Sequence, residues 1–343
     1  MSLESLNDRE REILKALVNY YVATAEPVGS RAIATKYKMG ISPATIRNTL
    51  QDLDELGLVE QPHTSAGRIP TDKGYRVYVD SLVQPEMLSE TEEKKLRKEI
   101  IVDYAVVDEL LEQTSRVLAS ISQQLGVTIA PRFDQGILTR IELIPVAEKK
   151  ILVILAVKSG LIRTILLEAD SSLADKSLEE TARILNERLC GLSLGEIKNS
   201  FPERIKDTSP ADPKLIKLFL DSAENILSFP KMEQIHLGGT TNIVSQPEFK
   251  DRGKLKTFIE FLEEKRILAE LVSSQGIKEG ISITIGKENE RGEMQYCSMV
   301  TSTYKAGKLK GTIGVIGPTR MPYAKLISLV DYTARILSET LSK

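Results

Sequence analysis

The sequence has no tryptophan, and aromatic residues are scarce at 5%. Its two cysteines, Cys190 and Cys297, are too few for a disulfide-stapled framework, and both lie in apolar segments without neighbouring ligand residues. That pattern points to buried free thiols in a reducing cytoplasm. The two histidines, His63 and His236, are far apart, which argues against a zinc site or a Cys/His nucleophile pair. No long hydrophobic run is present: the longest, Ile151–Val157, falls far short of the roughly 20 residues of a membrane-spanning helix. The opening MSLESLNDRERE is polar and acidic, unlike a secretory or transit peptide. Neither charge dominates, with 46 Lys+Arg against 48 Asp+Glu. What remains is a soluble, globular composition of 343 residues, enough for two or three domains with cores of their own.

The most informative stretch runs from Ser30 to Arg76 and reads as two helices joined by a tight turn, followed by a short hairpin. Ser30 is placed as the N-cap of the first helix, which buries Ile33 and Tyr37 and stops at Met39-Gly40, where glycine suits a left-handed residue. Ser42-Pro43 supplies a capping hydroxyl and a proline at the first helical position of the second. Ile46, Leu50 and Leu53 then form one apolar stripe. The opposite face carries Ala44, Asn48 and Gln51, flanked by Thr45 and Arg47, side chains of the kinds that read base edges in a major groove. The acids Asp52, Asp54 and Glu55 are confined to the C-terminal half, away from the end a helix-turn-helix presents to bases. Gly57 ends the helix, Leu58-Val59 begin a strand, 63–67 turn, and Arg68-Ile69 return. The pattern is a winged helix-turn-helix with His63 and Arg68 at the wing; the plain alternative is a small helical subdomain that never touches nucleic acid.

Charge tests this reading, because phosphate contact needs cations. Residues 1–80 hold ten Lys+Arg against eleven acids, yet Val28 to Gln51 carries Arg31, Lys36, Lys38 and Arg47 with no acid. Pro62 to Val79 adds Arg68, Lys73 and Arg76 against Asp72. So modest a basic face implies weak non-specific binding and reliance on sequence readout and dimerisation.

Around this unit, Asn7-Asp8-Arg9-Glu10 forms a capping box for a helix burying Ile13, Leu17, Tyr20 and Tyr21. A short helix with Tyr75, Val79 and Leu82 follows the wing, and the polar stretch 85–91 marks a boundary. Glu92 to Leu125 is expected to be largely helical, with Tyr104, Val107, Leu111, Thr114, Leu118, Ile121 and Leu125 at coiled-coil spacing. It is either an inter-subunit or inter-domain helix or one lying on its own sheet. ILTRIELIPV, ILVILAV and LIRTILLE predict a three-stranded antiparallel meander, followed by helices over Ser177–Cys190 and from Asp212-Pro213. A helical stretch from Leu255 to Val272, strands at 281–286, 294–304 and 309–317, and a helix from Tyr323 to Leu341 give a GAF- or PAS-like outline.

Catalytic chemistry finds little support. Gly238-Gly239-Thr240-Thr241 lacks the rest of a phosphate loop and reads as a turn. The strand-to-helix turn Gly314–Arg320 could hold an anion but is better read as structural, with Arg320 and Tyr323 the residues to inspect. No serine stands in a nucleophile elbow. No cofactor, metal or enzymatic activity is expected.

Two stretches, SPATIRNTLQDLDELGLVEQPHTSAGRIPTDKGYRVYVD (42–80) and GTIGVIGPTRMPYAKLISLVDY (311–332), are close to the patterns of the bacterial heat-inducible transcription repressor HrcA family, and the chain resembles that family over nearly its whole length. The resemblance implies an α+β multidomain chain. It would comprise a winged helix-turn-helix at 1–84, a discontinuous GAF-like domain at 90–133 and 232–343, and an inserted dimerisation domain at 134–231 with the three-stranded sheet. It further implies a homodimer repressing chaperone operons at an inverted-repeat operator in double-stranded DNA, inactivated by heat and maintained by the GroE chaperonin. Base contacts are expected from Thr45, Arg47, Asn48 and Gln51, and backbone or minor-groove contacts from Arg31, Ser42, His63, Ser65 and Arg68. The alternatives are a winged-helix regulator gated by a small molecule in the GAF-like domain, and an interaction protein whose helix-turn-helix binds another protein.

Overall fold

The computed structural model describes residues 6–63, 66–101, 107–131, 135–158, 162–169, 175–205, 212–223, 226, 235–275, 280–307 and 309–341. The chain begins with α1 (Asp8–Thr24), opened by the expected capping box between Asn7 and Glu10, then α2 (Ser30–Tyr37) and α3 (Pro43–Glu55). The cap of α2 is Gly29 rather than Ser30; Ser30 is the first helical residue, and no side chain caps this end. A two-stranded wing, β1 (Val59–Glu60) and β2 (Ile69–Pro70), leads into α4 (Asp72–Val77), which a π-helical turn extends to Leu82. Ile13, Leu17, Ile33, Ile46, Leu53 and Tyr75 meet in the core of this unit, all nearly inaccessible.

The expected long helix after residue 92 is instead two helices and a strand. They are α5 (Glu90–Ile100), α6 (Val107–Ser122) and β3 (Leu125–Ile129). Leu125 continues the helical spacing of Leu111, Leu118 and Ile121, yet every residue of β3 is buried, a property compatible with a central strand as well as a helix. Tyr104 lies outside the described residues. Of the two readings left open for this stretch, α6 lies on its own sheet, where Thr128 Oγ1 donates to Leu111 O at 2.9 Å.

The described residues between 138 and 221 form a second body. Strands β4 (Leu138–Ala147), β5 (Lys150–Val157) and β6 (Ile162–Glu168) make the expected antiparallel meander, in register Ile144–Leu152–Leu166. Its inner face packs on α7 (Asp175–Leu189), α8 (Leu194–Arg204) and α9 (Pro213–Asp221) through Ile141, Val153, Leu155, Leu185, Phe201 and Phe219.

The chain then returns to the strand β3 left behind. Strand β7 (Ile235–Gly238) pairs with β3, and β8 (Ile281–Ile285), β9 (Cys297–Ala306) and β10 (Leu309–Pro318) complete a five-stranded antiparallel sheet ordered β7-β3-β10-β9-β8. Between β7 and β8 come α10 (Thr240–Val244), α11 (Arg252–Glu263) and α12 (Lys265–Gln275); α13 (Tyr323–Leu341) closes the chain. Alternation divides β9 between two cores: Val300 and Tyr304 pack with α5, α6 and α13, while Met299 and Cys297 pack with α11 and α12. A sheet covered by helices on both faces matches the GAF-like outline. Cys297 is buried and Cys190 half-buried, both free, so the expectation of two buried thiols holds only for the first.

Candidate nucleic-acid interface

The geometry of α3 follows from its first two residues. Ser42 Oγ accepts from the Thr45 N–H at 3.1 Å, satisfying one orphan donor, and Pro43 occupies the first helical position, where no amide is needed. Ile46, Thr49, Leu50 and Leu53 face inward, with Thr49 Oγ1 turned back to the Thr45 carbonyl at 3.2 Å. That inward set fixes what faces out: Ala44, Arg47, Asn48 and Gln51 are exposed, and Thr45 is half-buried. Thr45 Oγ1 sits 2.9 Å from Ser42 Oγ, so these two hydroxyls share the cap. Gln51 Nε2 reaches Glu55 Oε1 at 3.4 Å. Among the described residues no ion pair or side-chain hydrogen bond restrains Arg47 or Asn48.

Arg31 stands exposed in the first turn of α2. The ammonium of Lys36, on the same helix, lies 4.7 Å from the centre of the Tyr20 ring, a cation–π contact made while the residue stays exposed. Lys38 takes the left-handed conformation, φ 47°, that ends α2, and Gly40 follows with φ 70°.

The wing is tied to the body at its base. Val28 and Arg68 exchange backbone hydrogen bonds of 2.8 and 2.9 Å, and a Cβ on Gly67 would lie 2.4 Å from the Val28 carbonyl carbon, so only glycine permits this approach. Arg68 is therefore on the return strand, near the root, and its Nε lies 3.0 Å from Asp54 Oδ2 of α3. The pair is close but not aligned as a hydrogen bond. His63 is exposed at the turn, its carbonyl accepting from the Ala66 N–H at 2.8 Å. Ser65 lies outside the described residues.

Two cations counted with the basic face are committed elsewhere. Lys73 Nζ donates to the Leu56 carbonyl at 2.8 Å, closing the C-terminal end of α3. Arg76 is turned away to Glu288 of the sheet domain, with its Nε donating to Oε1 at 2.7 Å. The cationic surface near α3 is thus Arg31, Lys36, Lys38 and Arg47, with Arg68 at its margin. The sequence could not show this, because Leu56 stands 17 residues from Lys73 and Glu288 stands 212 from Arg76, both beyond any local pattern.

The stretches considered for anion binding are structural. Asn242, after Gly238-Gly239, donates to the carbonyls of Ala119 and Gln124, each at 3.0 Å, pinning the turn to α6. Arg320 is held by Glu248 at 2.6 Å, and the Tyr323 hydroxyl donates to the Thr319 carbonyl at 2.7 Å. Among the described residues there is no group of three His, Cys, Asp or Glu placed to hold a metal ion, and no helix is long and apolar enough to cross a membrane.

Two family models match this chain: a winged helix-turn-helix transcription repressor, HrcA DNA-binding, over residues 5–81, and the HrcA protein C-terminal domain over residues 108–327. The heat-inducible transcription repressor HrcA of Pelotomaculum thermopropionicum is 38% identical over 98% of this chain and 97% of its own. That of Geobacter sulfurreducens is 38% identical over 99% of both, and that of Chlorobium phaeobacteroides 37% identical over the whole of both. A crystal structure described as that of a hypothetical protein has the same fold, with a TM-score of 0.62 and 24% identity over 98% of this chain and 99% of the other. With a DNA-binding model on the capped α3 and the wing, and full-length relatives named as repressors, the chain belongs to the heat-inducible transcription repressor HrcA family.

Proposed function

We propose that this protein is a cytoplasmic repressor of heat-shock chaperone operons that binds an inverted-repeat operator as a homodimer. The observation that carries the reading is the exposed Arg47–Asn48 face of α3, unrestrained beside an acid-free run of cations. Arg47, Asn48, Thr45 and Gln51 read base edges. Arg31, Ser42, His63, Ser65 and Arg68 hold phosphates or the minor groove. With so few cations, one winged helix binds weakly, and two on a two-fold axis supply the affinity.

The domain division we propose is 1–84 for DNA, 90–133 with 232–343 for the GAF-like body, and 134–231 as the inserted dimerisation domain. The dimer forms through the outer face of the three-stranded sheet. Ile144, Val146, Ile162 and Leu166 are 40%, 51%, 65% and 48% exposed there, an apolar surface on an otherwise charged chain. Heat inactivates the repressor, and the GroE chaperonin maintains the active form; the support for that step is the family resemblance.

The test is fluorescence anisotropy of the purified protein on an inverted-repeat duplex from a chaperone promoter, beside a scrambled duplex, at several salt concentrations. Strong preference for the repeat, lost on deleting one half-site, is the expected result. Equal weak binding to both duplexes, unchanged by adding chaperonin, would overturn the reading.

A further inference from the structure

The winged helix-turn-helix is clasped to the sheet domain at two polar anchors, one offered by each side. At the first, Arg76 at the end of α4 spans Glu288. Its Nε donates to Oε1 at 2.7 Å, one Nη to Oε2 and to the Ile283 carbonyl, and the other Nη to Asp80 at 3.0 Å. Glu288 is itself fixed, because Oε2 accepts the Ile285 N–H at 2.9 Å. One turn earlier on α4, Asp72 Oδ2 accepts the Lys287 N–H at 3.0 Å. The preceding Gly286 has φ +52°, and a Cβ there would lie 2.3 Å from the Asp72 carboxylate. Glycine at 286 is what lets the carboxylate reach this turn.

The second anchor points the other way. Arg320, between β10 and α13, donates from Nε to Glu248 Oε1 at 2.6 Å and from Nη1 to the Val22 carbonyl at 2.8 Å. Its other Nη reaches Gln246 and Glu248 at 3.1 and 3.3 Å. Val22 lies in the last turn of α1, so this guanidinium caps a helix of the DNA-binding unit from the sheet domain. Tyr75, 1% exposed, packs its ring 5.8 Å from that of Tyr323. The connecting segment is held as well, by the Glu86 N–H to the Ala324 carbonyl at 3.0 Å.

We propose that the Arg76–Glu288 and Arg320–Val22 anchors are positioning elements that fix the half-site spacing accepted by the dimer. This inference rests on the dimeric operator reading above. At the first anchor a planar guanidinium spanning a carboxylate fixes direction as well as distance. At the second, Glu248, on the same side as Arg320, holds the guanidinium whose Nη1 caps α1 at Val22, and a body held at two points resists swinging about either. Neither anchor uses Arg31, Arg47 or Asn48, so the clasp controls where each recognition helix points and leaves base reading to α3. Spacing is demanding: B-DNA turns once in about 10–10.5 base pairs, so adding about five base pairs moves one half-site to the opposite side of the duplex.

The experiment uses the full-length protein and an inverted repeat that the wild type selects from a randomised duplex pool. Wild type and the Glu288→Gln/Glu248→Gln double variant are titrated on that repeat, on one with its spacer lengthened by half a turn, and on one with a substituted base pair in a half-site. Wild type should lose at least about tenfold in affinity on the lengthened spacer and the double variant less than about threefold, with both equally sensitive to the base substitution. A merely structural loss would weaken all three duplexes together and leave the spacing ratio alone. If the double variant fails to fold, Glu288→Gln alone, which keeps an acceptor for the Ile285 N–H, should show an intermediate spacing penalty. A folded variant with the wild-type spacing penalty overturns the positioning role alone. A wild type that selects no inverted repeat overturns the operator reading and this inference with it.

Discussion

Arg68 Nε lies 3.0 Å from Asp54 Oδ2, so the root of the wing is braced against the C-terminal half of α3. The side chains are 20% and 33% exposed, so Arg68 is a partly exposed cation at the margin of the proposed DNA face. The acids of α3 therefore differ in what they do: Asp54 aims a cation, whereas Asp52 is exposed.

A double-mutant cycle on Arg68→Ala and Asp54→Ala, read by thermal unfolding, should give a coupling within about 1 kcal/mol, the range of partly exposed ion pairs. On DNA, Arg68→Ala should weaken binding to every duplex and lower the salt slope by about 1, as loss of one phosphate contact requires. An unchanged slope would restrict Arg68 to bracing the wing.

Asn48 is exposed and unrestrained on α3, so Asn48→Ala should leave the melting temperature unchanged. It should remove about 1–3 kcal/mol of discrimination at one base pair of each half-site while leaving the salt slope alone. Competition titrations against single-base variants of the operator measure this; equal loss on scrambled DNA would mean a phosphate contact instead.

Much of this architecture was legible locally. Ser42-Pro43 and the Ile46–Leu50–Leu53 stripe mark the start and inner face of α3, and the helix read from Tyr323 to Leu341 matches α13. The meander was readable because its strands alternate and its turns are short. Strands β3 and β7 escaped for physical reasons: β3 is buried throughout and continues the spacing of α6, while β7 has only four residues. Helix α8 was missed as well, and its internal Pro202 weakens any helical signal. The commitments of Lys73 and Arg76 were invisible, because Glu288 stands 212 residues from Arg76 and no local pattern reports such a pair.

The Lys325 ammonium, 2.5 Å from Glu92, together with the Ser89 N–H, pulls the Glu92 carboxyl down to about 2, against a smaller opposing effect of burial. A carboxyl with a depressed folded-state pKa stabilises the fold above its unfolded value of 4.5 and loses that contribution as pH falls towards 2. This contact ties the first turn of α5 to α13. Glu92→Gln should therefore lower the melting temperature at neutral pH, and the gap from wild type should narrow below about pH 4.5. A gap constant from pH 7 to pH 3, followed by differential scanning calorimetry, would assign the loss to packing or to the cap at Ser89.

The outer face of the three-stranded sheet offers the sharpest test of the dimer. Ile162 and Leu166 are 65% and 48% exposed on β6, and register places Leu166 in line with Leu152 and Ile144. The side chains opposite them in sequence, Ile165 and Leu167, fill the core, so alternation separates the two roles residue by residue. Glutamate at an already exposed position costs a monomer little, whereas glutamate at the centre of an apolar interface introduces an unpaired buried charge. Ile162→Glu/Leu166→Glu should therefore convert a dimer to a monomer in sedimentation velocity with the far-ultraviolet circular dichroism unchanged. Because one winged helix carries few cations, the monomer should also lose most of its preference for the inverted repeat over a scrambled duplex. A variant that remains dimeric would move the interface to another face, and a variant that is monomeric yet binds the repeat as tightly as wild type would remove dimerisation from the account of affinity.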